Sequence, residues 1–167
     1  MRSHIHHKNG FTLVEALVAL TILTVGLVPA FIQARNALNL SGSIRNSLVA
    51  AHLAQEGAEI ARSIRDADWF AGRPFGQSLA DCATGCAVQW DSERPESGIG
   101  ASNTPIRHDP ATGLFQYDRG DELRFNRIVT VTPVSATELQ VDVRVEWDET
   151  FGPKEYTIEY HLYDWLQ

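Results

Sequence analysis

The sequence predicts an α+β protein in which a long N-terminal helix packs on a C-terminal antiparallel β-meander. The first observation is an apolar run near the N-terminus that passes into a segment with helical periodicity, ending near Asp66. The second is a change to a period of two from Leu114 onward, which is typical of half-buried strands. A helix and an antiparallel sheet that each have one apolar face can bury those faces against each other.

The apolar run extends from Phe11 to Ile32 and reads FTLVEALVALTILTVGLVPAFI, with Glu15 as its only charged residue. As a helix of roughly 22 residues it would be about 33 Å long. The hydrocarbon core of a bilayer is about 30 Å thick. The run lacks the polar face that a helix of a soluble domain normally shows. The sequence therefore predicts that residues 11–33 span a membrane once.

Glu15 requires a partner, because an ionisable side chain inside a membrane segment is costly and rarely unpaired. One interpretation is a carboxylate near the membrane end that reaches the headgroups. The other is pairing with a specific positive charge. If the chain were cut after Gly10, the free amine of Phe11 would lie about 6 Å along the helix axis from Glu15. A neighbouring copy shifted by about one turn would then place its amine opposite Glu15 and set the register of packed helices.

The stretch G-F-T-L-V-E-A-L-V-A-L, preceded by a short basic leader, closely resembles the class III signal of type IV prepilins. The resemblance implies that residues 1–10 are a leader removed by a prepilin peptidase between Gly10 and Phe11. It also implies N-methylation of Phe11 and assembly of the mature chain with other pilin subunits, with Glu15 acting in assembly. A secretory signal is a poorer fit, since its apolar run is shorter and ends at a small-x-small site.

Composition argues against one class of partner. The formal net charge of the 167 residues is −7, and loss of Arg2 and Lys8 with the leader would make it −9. Basic residues are scattered among acidic ones and form no patch for a phosphate backbone. Nucleic acid is therefore not an expected partner, and the length suits one domain plus a tail.

Residues 34–66 are predicted to continue the helix as an amphipathic segment that enters the head. Apolar positions recur at spacings of three and four or their multiples, at Leu38, Leu48, Leu53, Gly57, Ile60 and Ile64. Helix breakers precede or interrupt this segment at Gly26, Pro29 and Gly42. At Pro29 the sequence leaves two interpretations open. One is a simple kink, and the other is the stretching on assembly that the family resemblance implies.

Residues 67–113 are rich in Gly, Pro, Ser, Asp and Ala and are predicted to form a loop region, with one short strand at Ala87–Trp90. Its aromatic residues Trp69, Phe70 and Phe75 are expected to pack against the domain. Cys82 and Cys86 stand close together in CATGC. If the head lies outside the cytoplasm, we expect a disulfide between them. A metal pair would need two more ligands at a suitable spacing, which are missing.

Residues 114–167 are predicted to form the antiparallel sheet. Alternating segments run from Leu123 to Val134, from Glu138 to Trp147 and from Lys154 to Tyr163, and turn residues separate them. The second segment places five apolar side chains on one face: Leu139, Val141, Val143, Val145 and Trp147. A helix laid against such a meander resembles the pilin fold.

The head shows no catalytic motif, and the protein is not expected to be an enzyme. Asp118, Asp121 and Glu122 in YDRGDE could bind calcium, which takes carboxylate and carbonyl oxygens. Some pseudopilins have a calcium site, but the EF-hand spacing is absent here. We therefore expect no cofactor, with this calcium site as the weaker alternative.

The function expected from the resemblance is that of a structural subunit, similar to minor pilins of the PilV type, in a type IV pilus-like filament. It would be held as a single-pass protein of the cytoplasmic membrane with an extracytoplasmic head, and then move to the pilus and cell surface through an assembly platform. A type II secretion pseudopilin shares the signal and much of the fold. A membrane-tethered binding module belongs to another class, and it predicts no cleavage at Gly10 and tolerance of Glu15→Ala.

Overall fold

The computed structural model describes residues 11–92, 95–97, 104–150 and 152–165. It consists of one long helix, one 3₁₀ helix and a seven-stranded sheet. This confirms the predicted α+β class, a long N-terminal helix with a C-terminal antiparallel sheet. The chain divides into two compact units, here called the N-terminal segment (Met1–Ile44) and the head (Arg45–Gln167). The predicted leader at residues 1–10 lies outside the described residues.

Helix α1 comprises Leu13–Phe70, and it begins with a side-chain cap. The Glu15 backbone N–H donates to the Thr12 hydroxyl oxygen at 3.2 Å, which satisfies one of the free donors of the first turn. The helix is assigned without interruption through Pro29. It continues four residues beyond the predicted end because the segment after Asp66 contains no breaker until Gly72, whose positive φ of 65° ends it.

The sheet is built around one meander. The 3₁₀ helix η1 comprises Gln77–Thr84. The strands are β1 (Cys86–Ala87), β2 (Glu96–Ser97), β3 (Pro105–His108), β4 (Phe115–Gln116), β5 (Asp121–Ser135), β6 (Glu138–Glu149) and β7 (Gly152–Tyr163). Strand β6 pairs with β5 on one side and β7 on the other, and every pairing in the sheet is antiparallel.

Residues 67–113, predicted as a loop region with one short strand at Ala87–Trp90, contain η1 and three short strands in the described part of the chain. The predicted strand overlaps β1 only at Ala87. Both β1 and β3 pair with the edge of β5 that β6 leaves free, at Cys86 opposite Val129 and at His108 opposite Asp121. Strands of two to four residues are too short to show a period of two. They form because a long strand elsewhere in the chain offers its edge, and local sequence does not record such a distant partner.

The core of the head lies between the second half of α1 and the meander. The predicted inward face of β6, from Leu139 to Trp147, is buried at 7% exposure or less. The helix meets it with small or branched residues: Ala50, Leu53, Ala54, Ala58, Ala61 and Ile64. Of the apolar positions at helical spacing, Leu38 and Leu48 are 74% and 59% exposed. Ala50 is the first fully buried residue of α1, and Ser43, Asn46 and Val49 before it are half-buried.

The loop aromatics divide into two groups. Trp69 and Phe75 are half-buried and stack with ring centroids 6.3 Å apart, and Phe75 packs on the core, as predicted. Phe70 is 94% exposed, so the prediction that it packs is wrong. It is the last residue of α1, where the helix side that faces the sheet has already been completed by Asp68.

Candidate functional site

Two of the predicted processing and assembly residues, Phe11 and Glu15, lie just before and within the first turn of α1. Gly10 falls outside the described residues. Phe11 is 78% exposed, and Glu15 occupies the first helical turn. Thr12 and Glu15 stand in the Ser/Thr-x-x-Glu spacing of a helix capping box. The Thr12 oxygen accepts the hydrogen bond that this spacing predicts. Thr12 therefore caps α1, and the spacing of Thr12 and Glu15 in the sequence is a signal for this helix start.

The surface that follows Glu15 is apolar on all sides. Every large apolar side chain from Phe11 to Ile32 is at least 50% exposed in the N-terminal segment. The helix is long and apolar enough to cross a membrane by length and composition. Its hydroxyls are also suited to hydrocarbon, because Thr21 donates to the Leu17 carbonyl at 2.8 Å and Thr24 to the Thr21 carbonyl at 2.9 Å. Polar groups satisfied within the helix need no water.

The disulfide expected in the head is present between Cys82 and Cys86, whose Cα atoms are 4.8 Å apart. Both residues are fully buried. Gly85 lies between them with a φ of 100°, a value that side chains rarely adopt. The bond joins η1 to β1, and β1 in turn pairs with β5. The disulfide therefore holds the segment between α1 and β1 against the sheet.

The buried carboxylate of Asp68 holds the C-terminal end of α1 to η1. Asp68 is fully buried. It accepts hydrogen bonds from Arg73 Nε at 2.7 Å, from the Ser78 hydroxyl at 2.6 Å and from the Ser78 N–H at 2.9 Å. Burial raises the pKa of Asp68, but the bonds from Ser78 and the charge of Arg73 outweigh it. The pKa therefore lies below its ordinary value of 3.8.

A buried arginine joins helix and sheet at the centre of the head. The Arg127 side chain on β5 is fully buried. Its Nη1 donates to the Leu53 carbonyl at 3.0 Å and to Glu56 Oε2 at 2.9 Å, and its Nη2 donates to the Val88 carbonyl at 2.7 Å. Its Nε has no hydrogen-bond partner among the described residues. One guanidinium thus bridges α1, β5 and the residue that follows β1.

Gly57 makes room for this arginine. A Cβ atom at Gly57 would lie 2.9 Å from Arg127 Cδ and 3.0 Å from Val143 Cγ1, closer than ordinary contact allows. Gly57 belongs to the helical spacing of apolar positions in the sequence, whereas Arg127 was not predicted as a buried residue. A signal was available, since Phe125, Arg127 and Val129 share one face of a strand by their spacing. An arginine in that row predicts a buried charge with partners.

The residues of the calcium alternative lie around the start of β5. Glu122 pairs with Arg107, with its carboxylate 3.0 Å from Nη2. Asp118 and Asp121 are exposed. Among the described residues, no group of three or more histidine, cysteine, aspartate or glutamate side chains could hold a metal ion. Gly120 forms a close turn here, since a Cβ would lie 2.5 Å from the His108 carbonyl oxygen.

Comparison with known proteins gives one match. The family model described as the prokaryotic N-terminal methylation motif matches residues 5–31. The search of curated proteins and the search of solved structures each returned no match. The matched range contains Gly10, Phe11 and Glu15, the residues that the sequence analysis assigned to processing and assembly.

The motif is the class III prepilin signal, and it implies in general terms processing by a prepilin peptidase and assembly with other pilin subunits. The exposed apolar helix that it begins fits a membrane-anchored pilin. In the head, the later part of α1 packs on the antiparallel sheet, which is a pilin-like arrangement. The motif and this arrangement together support a type IV pilin-like or pseudopilin-like protein.

Proposed function

We propose that this protein is a structural subunit of a type IV pilus-like filament, a minor pilin similar to the PilV type. The observation that carries the proposal is the methylation motif at residues 5–31, which places Glu15 in the first turn of an exposed apolar helix. Prepilin peptidase cuts between Gly10 and Phe11, and Phe11 is N-methylated. The mature chain waits in the cytoplasmic membrane with its head outside until an assembly platform inserts it into the filament at the cell surface.

Insertion exchanges lipid contacts for contacts between helices. Side chains from Phe11 to Ile32 are exposed around the whole helix, so several neighbouring helices can pack on it at once. Lipid tails are as apolar as these side chains, and hydrophobic burial therefore gives little preference for one axial position. A charged pair inside an apolar bundle does give such a preference, since a shift leaves both charges unpaired.

Glu15 supplies the negative member of that pair. Its carboxylate lies in the first helical turn, where the helix dipole favours negative charge. The positive member is the methylated amine of Phe11 on a neighbouring subunit. The capping bond to Thr12 uses the backbone N–H of Glu15, which leaves the carboxylate oxygens available for the neighbour. Glu15 thus sets the register of the filament core.

The processing step is tested by intact-mass and N-terminal analysis of the full chain purified from its native membrane. We expect a chain that begins at methylated Phe11. A chain that still begins at Met1 where prepilin peptidase is active would contradict the proposal. It would favour the membrane-tethered binding module, which also predicts that Glu15→Ala has no effect.

The assembly step is tested by substitution at the two capping-box positions. Glu15→Gln and Glu15→Ala should insert into the membrane and be processed, but should be absent from sheared filaments. Thr12→Ala is the matched control, because it removes the capping oxygen and keeps the carboxylate. It should enter filaments. Equal incorporation of Glu15→Ala and the unchanged chain would refute the charge-pair mechanism.

The type II secretion pseudopilin remains the alternative within this class, since the motif is common to both machines. It predicts that deletion of the gene abolishes secretion of folded proteins and leaves pili intact. Calcium binding near Asp118, Asp121 and Glu122 would favour it. The test is a calcium titration of the full chain, and a rise in thermal stability that Asp121→Asn removes would support the site.

A further inference from the structure

Strand β7 forms a long free edge of the sheet. It pairs with β6 along its whole length, from Gly152 opposite Glu149 to Tyr163 opposite Glu138. In the part of the chain that the structure describes, no other strand pairs with β7. Its outer row of backbone N–H and C=O groups is therefore open to a further strand between Glu155 and His161. At the two ends of the row, Pro153 has no N–H, and the Tyr163 carbonyl accepts a hydrogen bond from Arg65 at 3.0 Å. The opposite edge of the meander differs, because β1 and β3 cover β5.

The outward face of this edge is negatively charged. On that face Asp142 of β6 lies opposite Glu159 of β7, and Glu146 lies opposite Glu155. Like charges directly opposite each other destabilise a sheet. Positive charges nearby are few: Arg144 pairs with Glu146 at 3.1 Å, and His161, whose Nε2 lies 3.6 Å from Glu159, is charged only when protonated. No ion pair to Glu155 occurs among the described residues.

The inward face of the same edge has apolar surface that α1 does not fully cover. Tyr160 is held to the helix, since its hydroxyl donates to the Ala58 carbonyl at 2.8 Å. Farther toward the start of the strand, Ile158 is half-buried and Tyr156 is 37% exposed. A strand placed beside β7 would extend the apolar layer over these two side chains.

We propose that β7 is a strand-addition site for an extended segment of a partner protein with basic residues on one face and β-branched apolar residues on the other. Main-chain hydrogen bonds to the free edge supply affinity, and alternate side chains supply specificity. Two lysines or arginines four residues apart would lie opposite Glu155 and Glu159. The apolar side chains between them would cover Tyr156 and Ile158. This site is independent of the filament function proposed above.

The charges on β7 also indicate which strands are rejected. Native edges carry charged side chains that prevent pairing with unsuitable strands. In an antiparallel pairing of two β7 strands centred on Thr157, Glu155 of each copy would face Glu159 of the other. A basic strand beside β7 would instead place a positive side chain opposite each of Glu155 and Glu159. The occupant is therefore a basic segment of another protein rather than a second β7.

The test uses the full chain in detergent micelles and three fluorescent twelve-residue peptides. The first alternates Thr and Val and carries two lysines four residues apart. The second has glutamates in place of the lysines. The third keeps the lysines but has its backbone nitrogens methylated along both edges, so neither edge can donate hydrogen bonds to a strand. Fluorescence anisotropy measures binding, and amide hydrogen exchange of residues 152–163 reports strand addition.

We expect the lysine peptide to bind at least about tenfold more tightly than the glutamate peptide, since two favourable pairs become two unfavourable ones. It should slow exchange across residues 152–163, and the N-methylated peptide should not. In the double variant Glu155→Lys/Glu159→Lys the preference should reverse. The control Asp81→Lys/Asp91→Lys makes the same charge change at exposed positions outside β7 and should keep the original preference.

Four results would overturn the proposal. The lysine and glutamate peptides could bind equally, which would exclude selection by charge. The control could lose as much of the preference as the β7 variant does, which would indicate attraction by net charge alone. The lysine peptide could bind without protecting residues 152–163. Protection of these residues that rises with protein concentration in the absence of peptide would identify a second copy as the occupant.

Discussion

Replacing Arg127 by methionine should unfold the head more easily than any replacement of an exposed arginine. The guanidinium is fully buried and donates to two backbone carbonyls and to Glu56. Methionine fills much of the same space but donates no hydrogen bond. The Val88 carbonyl then loses its 2.7 Å donor, and the Glu56 carboxylate loses its cation.

The size of the effect follows from these partners. Breaking a buried, hydrogen-bonded ion pair by removing one member costs about 3–5 kcal/mol. The Glu56 side chain is 29% exposed, so water can solvate part of its charge. We therefore expect a loss near the lower limit, about 3 kcal/mol. Since a domain of this size is stable by about 5–15 kcal/mol, the loss is a large fraction of the total.

The assay is urea unfolding of the full chain in detergent, followed by tryptophan fluorescence. The chain has four tryptophans, and all lie in the head, at positions 69, 90, 147 and 165. Arg144→Met is the matched control, since Arg144 lies in β6, is 47% exposed and pairs with Glu146. It should change the free energy of unfolding by less than about 0.5 kcal/mol. A loss of less than about 1 kcal/mol for Arg127→Met, or an equal loss for the control, would refute the reasoning.

Three further predictions concern the same head. Gly57→Ala should destabilise it by about 1–3 kcal/mol despite the better helix propensity of alanine, because the added Cβ meets the immobile Arg127 side chain; urea unfolding measures this, and a gain in stability would contradict it. Asp68→Asn should flatten the acid limb of the stability curve. The lowered pKa of Asp68 stabilises the fold fully above the ordinary value of 3.8, and this contribution is lost as pH falls through the folded-state pKa. Unfolding midpoints between about pH 6 and pH 2 test it, and the exposed-site control Asp81→Asn should keep the full slope. Replacing both disulfide cysteines by alanine should cost about 2 kcal/mol through the loop of five residues alone; an unchanged midpoint in urea, with and without reductant, would show that the bond is dispensable.

The sequence pattern alone predicts those helices and strands whose periodicity lies within a short stretch of the chain. The apolar run predicts the first half of α1, since hydrophobicity around a whole helix needs no partner to be recognised. The faces of β6 and β7 follow from a period of two maintained over 12 residues in each strand. Turn residues also locate the start of β7 at Gly152, but β5 continues through Pro133 and ends at Ser135.

Pattern was insufficient where a distant segment decides the structure. The short strands β1 and β3 exist because β5 offers them an edge. Leu48 fits the helical spacing of the apolar positions, but it is 59% exposed, whereas Asn46 nearby bonds to Glu149 of β6. Asp68 resembles any exposed acidic residue until Ser78 and Arg73 are brought to it. The edge of β5 lies outside the window in which periodicity can be detected. Arg73 and Ser78 are only five and ten residues from Asp68, but no helix or strand period relates them to it.

The sequence by itself determined the N-terminal signal, the spanning length of the apolar helix and the α+β class, because each depends on neighbouring residues. The tertiary structure decided which groups share the interior: Arg127 beneath Gly57, Asp68 against Ser78, and a free β7 edge with carboxylates along its outward face. These features depend on contacts between residues far apart in the chain. Such contacts are selected by packing and by the need to pair every buried charge, and no local pattern encodes them.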